Sequence, residues 1–182
     1  MIKPWKLIKS EWALNEKWYK VRRDTVEIKP GKIIDDYFLA IFNDIVIILA
    51  ITPENNVVLV RQYKHGAGEI IMELPAGYMD DGEDDPLQAA KRELQEETGF
   101  TSDEWEYFGY FYANSTKAKG NNTHLYLAKN AQKTADQQFD ENEDIEVLIK
   151  PFSEALAMAK SGELQGVDTV LALMLAKEKL EN

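Results

Sequence analysis

The segment from Gly77 to Phe100, GYMDDGEDDPLQAAKRELQEETGF, constrains the fold more than any other part of the chain. Its second half predicts a helix over about 86–98, because Pro86 suits a first helical turn and Gly99 suits a C-cap. Three apolar side chains share one face of this helix: Leu87, Ala90 and Leu94. That face is expected to pack against the core of the protein.

Glu93, Glu96 and Glu97 form another face of the same helix. At about 100° per residue, their carboxylates fall within an arc of about 100°. Like charges three and four residues apart repel, and acids in the last turn face the negative end of the helix dipole. A hard divalent cation, Mg²⁺ or Mn²⁺, would reverse both penalties. The pattern therefore indicates a metal site, with a solvated charged face as the alternative.

This segment resembles the Nudix box, the signature of hydrolases that cut nucleoside diphosphates linked to another moiety. Nine residues carry the resemblance: Gly77, Glu83, Arg92, Glu93, Leu94, Glu96, Glu97, Gly99 and Phe100. Eight residues separate Glu83 from Arg92, where the family has seven, and the extra residue precedes Pro86. The helix should therefore keep its register, and the insertion affects only the placement of Glu83.

The resemblance implies a set of roles around the box. The three helix glutamates would hold the cation together with the main-chain carbonyl of Ala76. Arg92 would orient these carboxylates through a bidentate contact with Glu83 or Glu73. The alternative for Arg92 is an ordinary ion pair on the helix surface.

The general base is expected outside the box, because metal-bound carboxylates are poor proton acceptors. The resemblance points to the acidic run DENEDIEV, residues 140–147, and to Glu141 as the base. Glu143 is the second candidate, either as base or as a further metal ligand. A calcium-binding EF-hand loop is excluded, because Ile145 and Pro151 stand where that loop needs glycine and glutamate. A solvated flexible loop is the remaining alternative.

The stretch RQYKHGAGEIIMELPAG, from Arg61 to Gly77, resembles the ADP-ribose pyrophosphatase subgroup. ADP-ribose, or a related nucleoside diphosphate sugar, is therefore the expected substrate. That subgroup usually has a proline after the box, but this chain has none between Pro86 and Pro151. GDP-mannose, or another nucleotide sugar, is therefore the alternative substrate. A sensor that binds ADP-ribose without hydrolysing it is disfavoured by the intact box.

Four further residues are candidates for substrate binding. Arg61 lies in the predicted strand at 57–64 and could contact a substrate phosphate, with a plain strand-end charge as the alternative. Glu73 lies in the predicted strand that leads to the box, and Asn114 opens a polar loop that runs to Asn122. Trp18 is the candidate for stacking on a nucleobase, because related enzymes build the base pocket partly from the partner's N-terminal strands. Packing in a core or an interface is the alternative for this tryptophan.

The overall composition narrows the class of protein. A net charge of −11 without a basic stripe argues against a nucleic-acid partner, and the absence of cysteine excludes disulfides and thiolate zinc sites. The opening residues lack the apolar core of a signal peptide, and no apolar run is long enough to span a bilayer. We therefore expect a cytoplasmic enzyme without a membrane partner.

The pattern of apolar residues predicts an α/β (α+β) protein in two parts. Residues 1–40 are expected to form a small antiparallel β appendage that joins two copies into a homodimer. Residues 41–182 are expected to form a sandwich with a mixed sheet between helices, as the Nudix resemblance implies. Several elements are predicted within these parts: strands within 5–28 and at 36–43, 45–52, 57–64, 69–74, 104–113, 122–129 and 145–150, helices near 86–98, 152–161 and 167–180, and a linker at 130–143.

Overall fold

The computed structural model describes residues 2–138 and 144–180. The helices and strands of this part of the chain follow in order: β1 (Lys6–Asn15), β2 (Lys20–Lys29), β3 (Lys32–Ile41), β4 (Ile45–Ile51), β5 (Asn56–Lys64), β6 (Glu69–Glu73), β7 (Ala76–Tyr78), α1 (Pro86–Thr98), β8 (Phe100–Thr101), β9 (Glu104–Tyr112), β10 (Ala118–Lys119), β11 (Asn122–Lys129), β12 (Gln132–Lys133), β13 (Glu146–Pro151), α2 (Phe152–Ser161) and α3 (Val167–Leu180). They fall into two compact units, described separately below.

The first unit contains Met1–Asp44 and Tyr112–Asn122. Its sheet has the order β1-β2-β3-β10, in which the three long strands are antiparallel and β10 joins β3 in parallel. Gly31, with φ of 78°, makes the turn between β2 and β3 that Pro30-Gly31 predicts. A buried carboxylate lies inside this sheet: Asp24 accepts hydrogen bonds from Arg22 and from Ser10.

The second unit contains Ile45–Phe111 and Thr123–Asn182. Its main sheet has the order β13-β5-β4-β11-β9, with β6 added to β5 and β7 added to β4. The sheet is mixed, because β11 runs parallel to β4 whereas β13 and β7 run antiparallel to their neighbours. This confirms the predicted mixed-sheet fold.

Helices cover both faces of this sheet, so its central strands are buried on both sides. Alternate residues of β4 belong to two apolar clusters: Ile47 packs with α2 and α3, whereas Val46 and Ile48 pack with α1. The predicted stripe of α1 lies in the second cluster, with Ala90 and Leu94 completely buried. Truncating Leu94 to alanine would lower the free energy of unfolding by about 2–5 kcal/mol. The burial of this side chain therefore helps to hold α1 on the sheet.

Two expectations about chain segments are wrong. Strand β3 begins at Lys32 rather than at 36, and the expected linker at 130–143 includes strand β12, which pairs with β8. Ala131, at the start of that segment, is buried. A two-residue pairing contributes no periodic pattern, so the sequence offers no signal for it. Within the described residues, none of the helices has both the length and the apolar character that a membrane span needs.

Candidate active site

Helix α1 begins and ends where its sequence predicts. The Asp85 carboxylate accepts a hydrogen bond from the Leu87 amide at 2.9 Å, and Pro86 occupies the first turn. Gly99 is the C-cap with φ of 73°, and its amide donates to the Gln95 carbonyl at 2.8 Å. Because both ends are fixed, the glutamates of the last turns have a defined direction.

The glutamate face of α1 lies over strand β7. A Cβ atom at Gly77 would overlap the Glu93 carboxylate, so any larger residue there would force the Glu93 side chain to shift. Glu97 is only 4% exposed, and its Oε2 accepts a hydrogen bond from the Ala76 amide at 3.0 Å. The structure thus brings two of the predicted metal-site residues, Ala76 and Glu97, into direct contact.

Arg92 connects three carboxylates at this site. Its Nη1 lies 2.7 Å from Glu93 Oε1 and 3.2 Å from Glu96 Oε2, and its Nη2 lies 3.1 Å from Glu83 Oε2. The contact with Glu83 therefore uses one nitrogen of the guanidinium and is not the bidentate pair that the resemblance implies. Arg92 instead holds two helix glutamates and the loop glutamate at once.

The extra residue before Pro86 does not separate Glu83 from the site. The Asp80 amide donates to Glu83 Oε2 at 3.0 Å, which fixes the carboxylate within the loop. Glu73, the other predicted partner of Arg92, lies elsewhere. It accepts from Lys64 Nζ at 2.8 Å and from Gln62 Nε2 at 3.2 Å. Of the two candidates, the structure places Glu83 against Arg92.

The charges of this network are set by its contacts. Burial raises the pKa of Glu83, but hydrogen bonds from the Asp80 amide and from Arg92 outweigh burial, so the pKa lies below its ordinary value. Burial likewise lowers the pKa of Arg92, but the carboxylates of Glu83, Glu93 and Glu96 raise it above the ordinary value. The guanidinium therefore stays charged, although its buried Nε has no hydrogen-bond partner within residues 2–138 and 144–180.

A segment that the sequence did not single out closes the C-terminal end of α1. The Gln138 amide donates to the Glu96 carbonyl at 2.9 Å, and Gln137 Nε2 donates to the Glu97 carbonyl at 2.7 Å. Gln137 Nε2 also lies 3.3 Å from the Ile145 carbonyl. These donors satisfy main-chain carbonyls that a helix end leaves open. The only signal in the sequence is the position of the two glutamines shortly before the acidic run.

Glu141 and Glu143, the candidates for the base, lie outside the described residues. The residues that lead into and out of this segment, Gln137 and Ile145, are joined through the side chain of Gln137.

The donor atoms at this site suit a hard cation. Carboxylate oxygens from Glu93, Glu96 and Glu97, with the carbonyl oxygen of Ala76, are the ligand type that Mg²⁺ and Mn²⁺ take. Within residues 2–138 and 144–180, no group of three or more acidic or histidine side chains already stands at metal-binding distances. Glu93 and Glu96 are instead paired with Arg92, so holding a cation requires these two carboxylates to reorient.

The other candidate residues are spread over both units. In the second unit, Arg61 Nε lies 2.9 Å from Glu146 Oε2, opposite it on β13. In the first unit, Trp18 is 83% exposed with Lys17 Nζ 4.2 Å from its ring centre. Asn114, also in the first unit, accepts from the Lys117 amide at 3.0 Å.

Comparison with known families identifies the class of protein. The family described as NUDIX domain matches residues 42–168. The chain therefore belongs to the Nudix family, and the prediction of a Nudix hydrolase is confirmed. Residues 5–39 match the family described as nucleoside diphosphate sugar hydrolase N-terminal domain.

Relatives of this chain have several functions. The methanol dehydrogenase activator of Bacillus methanolicus is 33% identical over 92% of this chain and 90% of that protein. An ADP-ribose pyrophosphatase of Bacillus subtilis is 31% identical, covering 74% and 72%. A GDP-mannose pyrophosphatase of Salmonella arizonae is 34% identical, covering 72% and 71%. The crystal structure of an ADP compounds hydrolase has a TM-score of 0.86 over 100% and 96% of the two chains, and at 20% identity it shows the fold alone.

Proposed function

We propose that the protein hydrolyses the diphosphate of ADP-ribose in a reaction that needs Mg²⁺ or Mn²⁺. Water adds at one phosphorus, the bond from that phosphorus to the bridging oxygen breaks, and the products are AMP and ribose 5-phosphate. The observation that carries this proposal is the glutamate face of α1, held by Ala76 and Arg92 over strand β7. The Bacillus subtilis relative supports the choice of substrate.

The side chains divide the work as follows. A bound divalent cation supplies positive charge that offsets the diphosphate and favours deprotonation of water. Glu93, Glu96 and Glu97 would hold that cation, and Arg92 would keep the carboxylates of Glu93 and Glu96 at the site until they turn toward it. The chain carries a net charge of −11, so it would otherwise repel a diphosphate. We assign the general base to Glu141, with Glu143 as the second candidate.

GDP-mannose is the second candidate substrate. Two observations favour it: the missing proline after the box and the GDP-mannose pyrophosphatase relative at 34% identity. In either case the same phosphoric anhydride is cleaved, so the metal site and the base keep their roles. The difference lies in the groups that bind the base and the sugar, for which Arg61, Glu73, Asn114 and Trp18 are our candidates.

We further propose that the protein is a homodimer formed through its first unit. Every residue of β1 is exposed in a single chain. Trp5, Trp12 and Trp18 are exposed by half or more, which is a large apolar surface for a soluble enzyme. Pairing with a second copy would cover it, and C₂ dimers are the commonest closed assembly. In such a dimer Trp18 is our candidate for stacking on the nucleobase.

A substrate panel tests the proposal. The purified protein is incubated with Mg²⁺ and, separately, with ADP-ribose, GDP-mannose and other nucleoside diphosphate derivatives, and the products are separated by chromatography. We expect ADP-ribose to give AMP and ribose 5-phosphate with the highest kcat/KM. Faster cleavage of GDP-mannose than of ADP-ribose would overturn the choice of substrate, but the proposed metal-dependent hydrolysis of a diphosphate would stand. No cleavage of any diphosphate would overturn both.

A further inference from the structure

The segment Leu74 to Ala76 brings the chain from β6 into β7 and supplies Ala76 to the site, but strand pairing holds only its last residue. Strand β6 ends its pairing with β5 at Glu73, and β7 begins its pairing with β4 at Ala76. Leu74 and Pro75 lie between the two ladders. Leu74 is 1% exposed, so its amide needs a partner inside the protein.

Thr169 supplies that partner. Its Oγ1 accepts a hydrogen bond from the Leu74 amide at 3.0 Å, and Thr169 is itself only 3% exposed. The next two residues are held by other elements: the Pro75 carbonyl accepts from the Ile48 amide at 2.9 Å, and the Ala76 amide donates to Glu97. Three consecutive residues are thus fixed by α3, β4 and α1.

The position of Thr169 is itself well defined. It lies in the first turn of α3, and its neighbour Asp168 accepts from Thr123 Oγ1 at 3.1 Å. Thr123 belongs to β11 and pairs with Ile45 on β4, which in turn pairs with Tyr78 on β7. The start of α3 is therefore joined to the same end of the sheet that carries β7.

We infer that Thr169 is a positioning residue for the metal site, acting through the main chain of Leu74 to Ala76. This inference rests on the proposed function, because the carbonyl of Ala76 matters only if it helps to hold the cation. A main-chain carbonyl oxygen cannot be repositioned by side-chain rotation, so the hydrogen bonds of the surrounding backbone determine where it lies. A displacement of about 1 Å at an active site can lower the rate about 100-fold. Losing the Thr169 hydroxyl frees the amide end of this segment and leaves a buried donor unpaired.

Three variants of the full-length protein test the inference. Thr169→Val keeps the shape and removes the acceptor, and Thr169→Ser keeps the hydroxyl. Thr52→Val is the matched control, because Thr52 is also buried and its Oγ1 accepts from the Asn56 amide at 3.4 Å. Thr52 follows β4 at the end opposite to Ile45, which faces β7.

The first readout is Mn²⁺ affinity, measured by electron paramagnetic resonance without substrate, and the second is hydrogen exchange of the Leu74 amide. For Thr169→Val we expect about 10-fold weaker Mn²⁺ binding, a lower kcat and faster exchange at Leu74, because outer partners of metal ligands typically contribute that much. Thr169→Ser should restore all three, and Thr52→Val should leave Mn²⁺ affinity unchanged.

The outcomes separate this inference from the proposed function. If Thr169→Val binds Mn²⁺ as tightly as the wild type, or if Thr52→Val weakens binding equally, Thr169 has only a structural role. If the wild type binds no Mn²⁺ and cleaves no diphosphate, the proposed function fails and the inference fails with it.

Discussion

In the first unit, Val26 is the only buried apolar side chain among the described residues, whereas β4 of the second unit is buried along nearly its whole length. The first unit exposes its tryptophans and buries a carboxylate, Asp24. The second unit buries its apolar side chains in two clusters, and the carboxylates of Glu83, Glu93 and Glu96 gather around Arg92 of α1. The second unit therefore has the core that an active site requires, while the first unit has the exposed apolar area that an interface requires.

The largest effect that this comparison predicts is in the second unit. Glu97→Gln should lower kcat by about 100-fold or more and weaken Mg²⁺ affinity, because it removes the charge of a buried carboxylate that we propose as a metal ligand. Steady-state kinetics over a range of free Mg²⁺ would measure both. Glu163→Gln, an exposed glutamate between α2 and α3, is the control and should behave as wild type. An unchanged kcat for Glu97→Gln would remove the glutamate face from the mechanism.

The next effect is on stability and concerns the buried carboxylate of the first unit. Arg22 Nη2 lies 2.7 Å from Asp24 Oδ2, and the Asp24 side chain is 4% exposed. We expect Asp24→Asn to lower the free energy of unfolding by about 2–4 kcal/mol at neutral pH. Chemical denaturation would measure it, with Asp36→Asn, on the exposed surface of the same sheet, as the control.

This loss should depend on pH in a defined direction. Burial raises the pKa of Asp24, but the hydrogen bonds from Arg22 and Ser10 outweigh burial and leave the pKa below its ordinary value. A carboxylate with a lowered pKa in the folded state contributes stability above its unfolded pKa of about 4 and loses it as the pH falls further. The difference between the wild type and Asp24→Asn should therefore shrink below about pH 4. A constant difference would contradict the ionic role of Asp24.

The smallest effect tests the exposed surface of the first unit. Trp12→Glu should weaken dimerisation by about 30-fold or more, because a tryptophan in the middle of an interface typically contributes that much. Sedimentation velocity at low protein concentration should then show the mass of a single chain. Ile149→Glu changes a residue of the second unit that is 51% exposed, against 52% for Trp12, and should leave the mass unchanged. If the wild type is already monomeric, β1 is not the interface.

Local signals in the sequence predicted much of the second unit. Pro86 and Gly99 set the ends of α1, and runs of apolar residues bounded by turn residues located β4 and β5. The box motif predicted that Arg92 lies among carboxylates, which the structure shows. These features depend on neighbours within a few residues, so a single sequence contains them.

Contacts between distant segments were not predictable in this way. The bond from Thr169 to Leu74 joins residues 95 apart, and that from Gln137 to the Glu97 carbonyl joins residues 40 apart. Residues 112–122 belong to the first unit, although they begin at the last residue of β9, which is otherwise part of the second unit. The first contact depends on one hydroxyl group, the second on one side-chain amide, and the third on the two-residue pairing of β10 with β3. None of these produces a periodic pattern of apolar residues in the sequence.

The central claim is that the glutamate face of α1 serves a metal-dependent cleavage of a diphosphate. Phosphorus-31 NMR of ADP-ribose incubated with the full-length protein tests it directly. With Mg²⁺, the two diphosphate signals should be replaced by the phosphomonoester signals of AMP and ribose 5-phosphate. Excess chelator should stop the reaction, and added Mg²⁺ should restart it. Cleavage at an unchanged rate in excess chelator would contradict the claim.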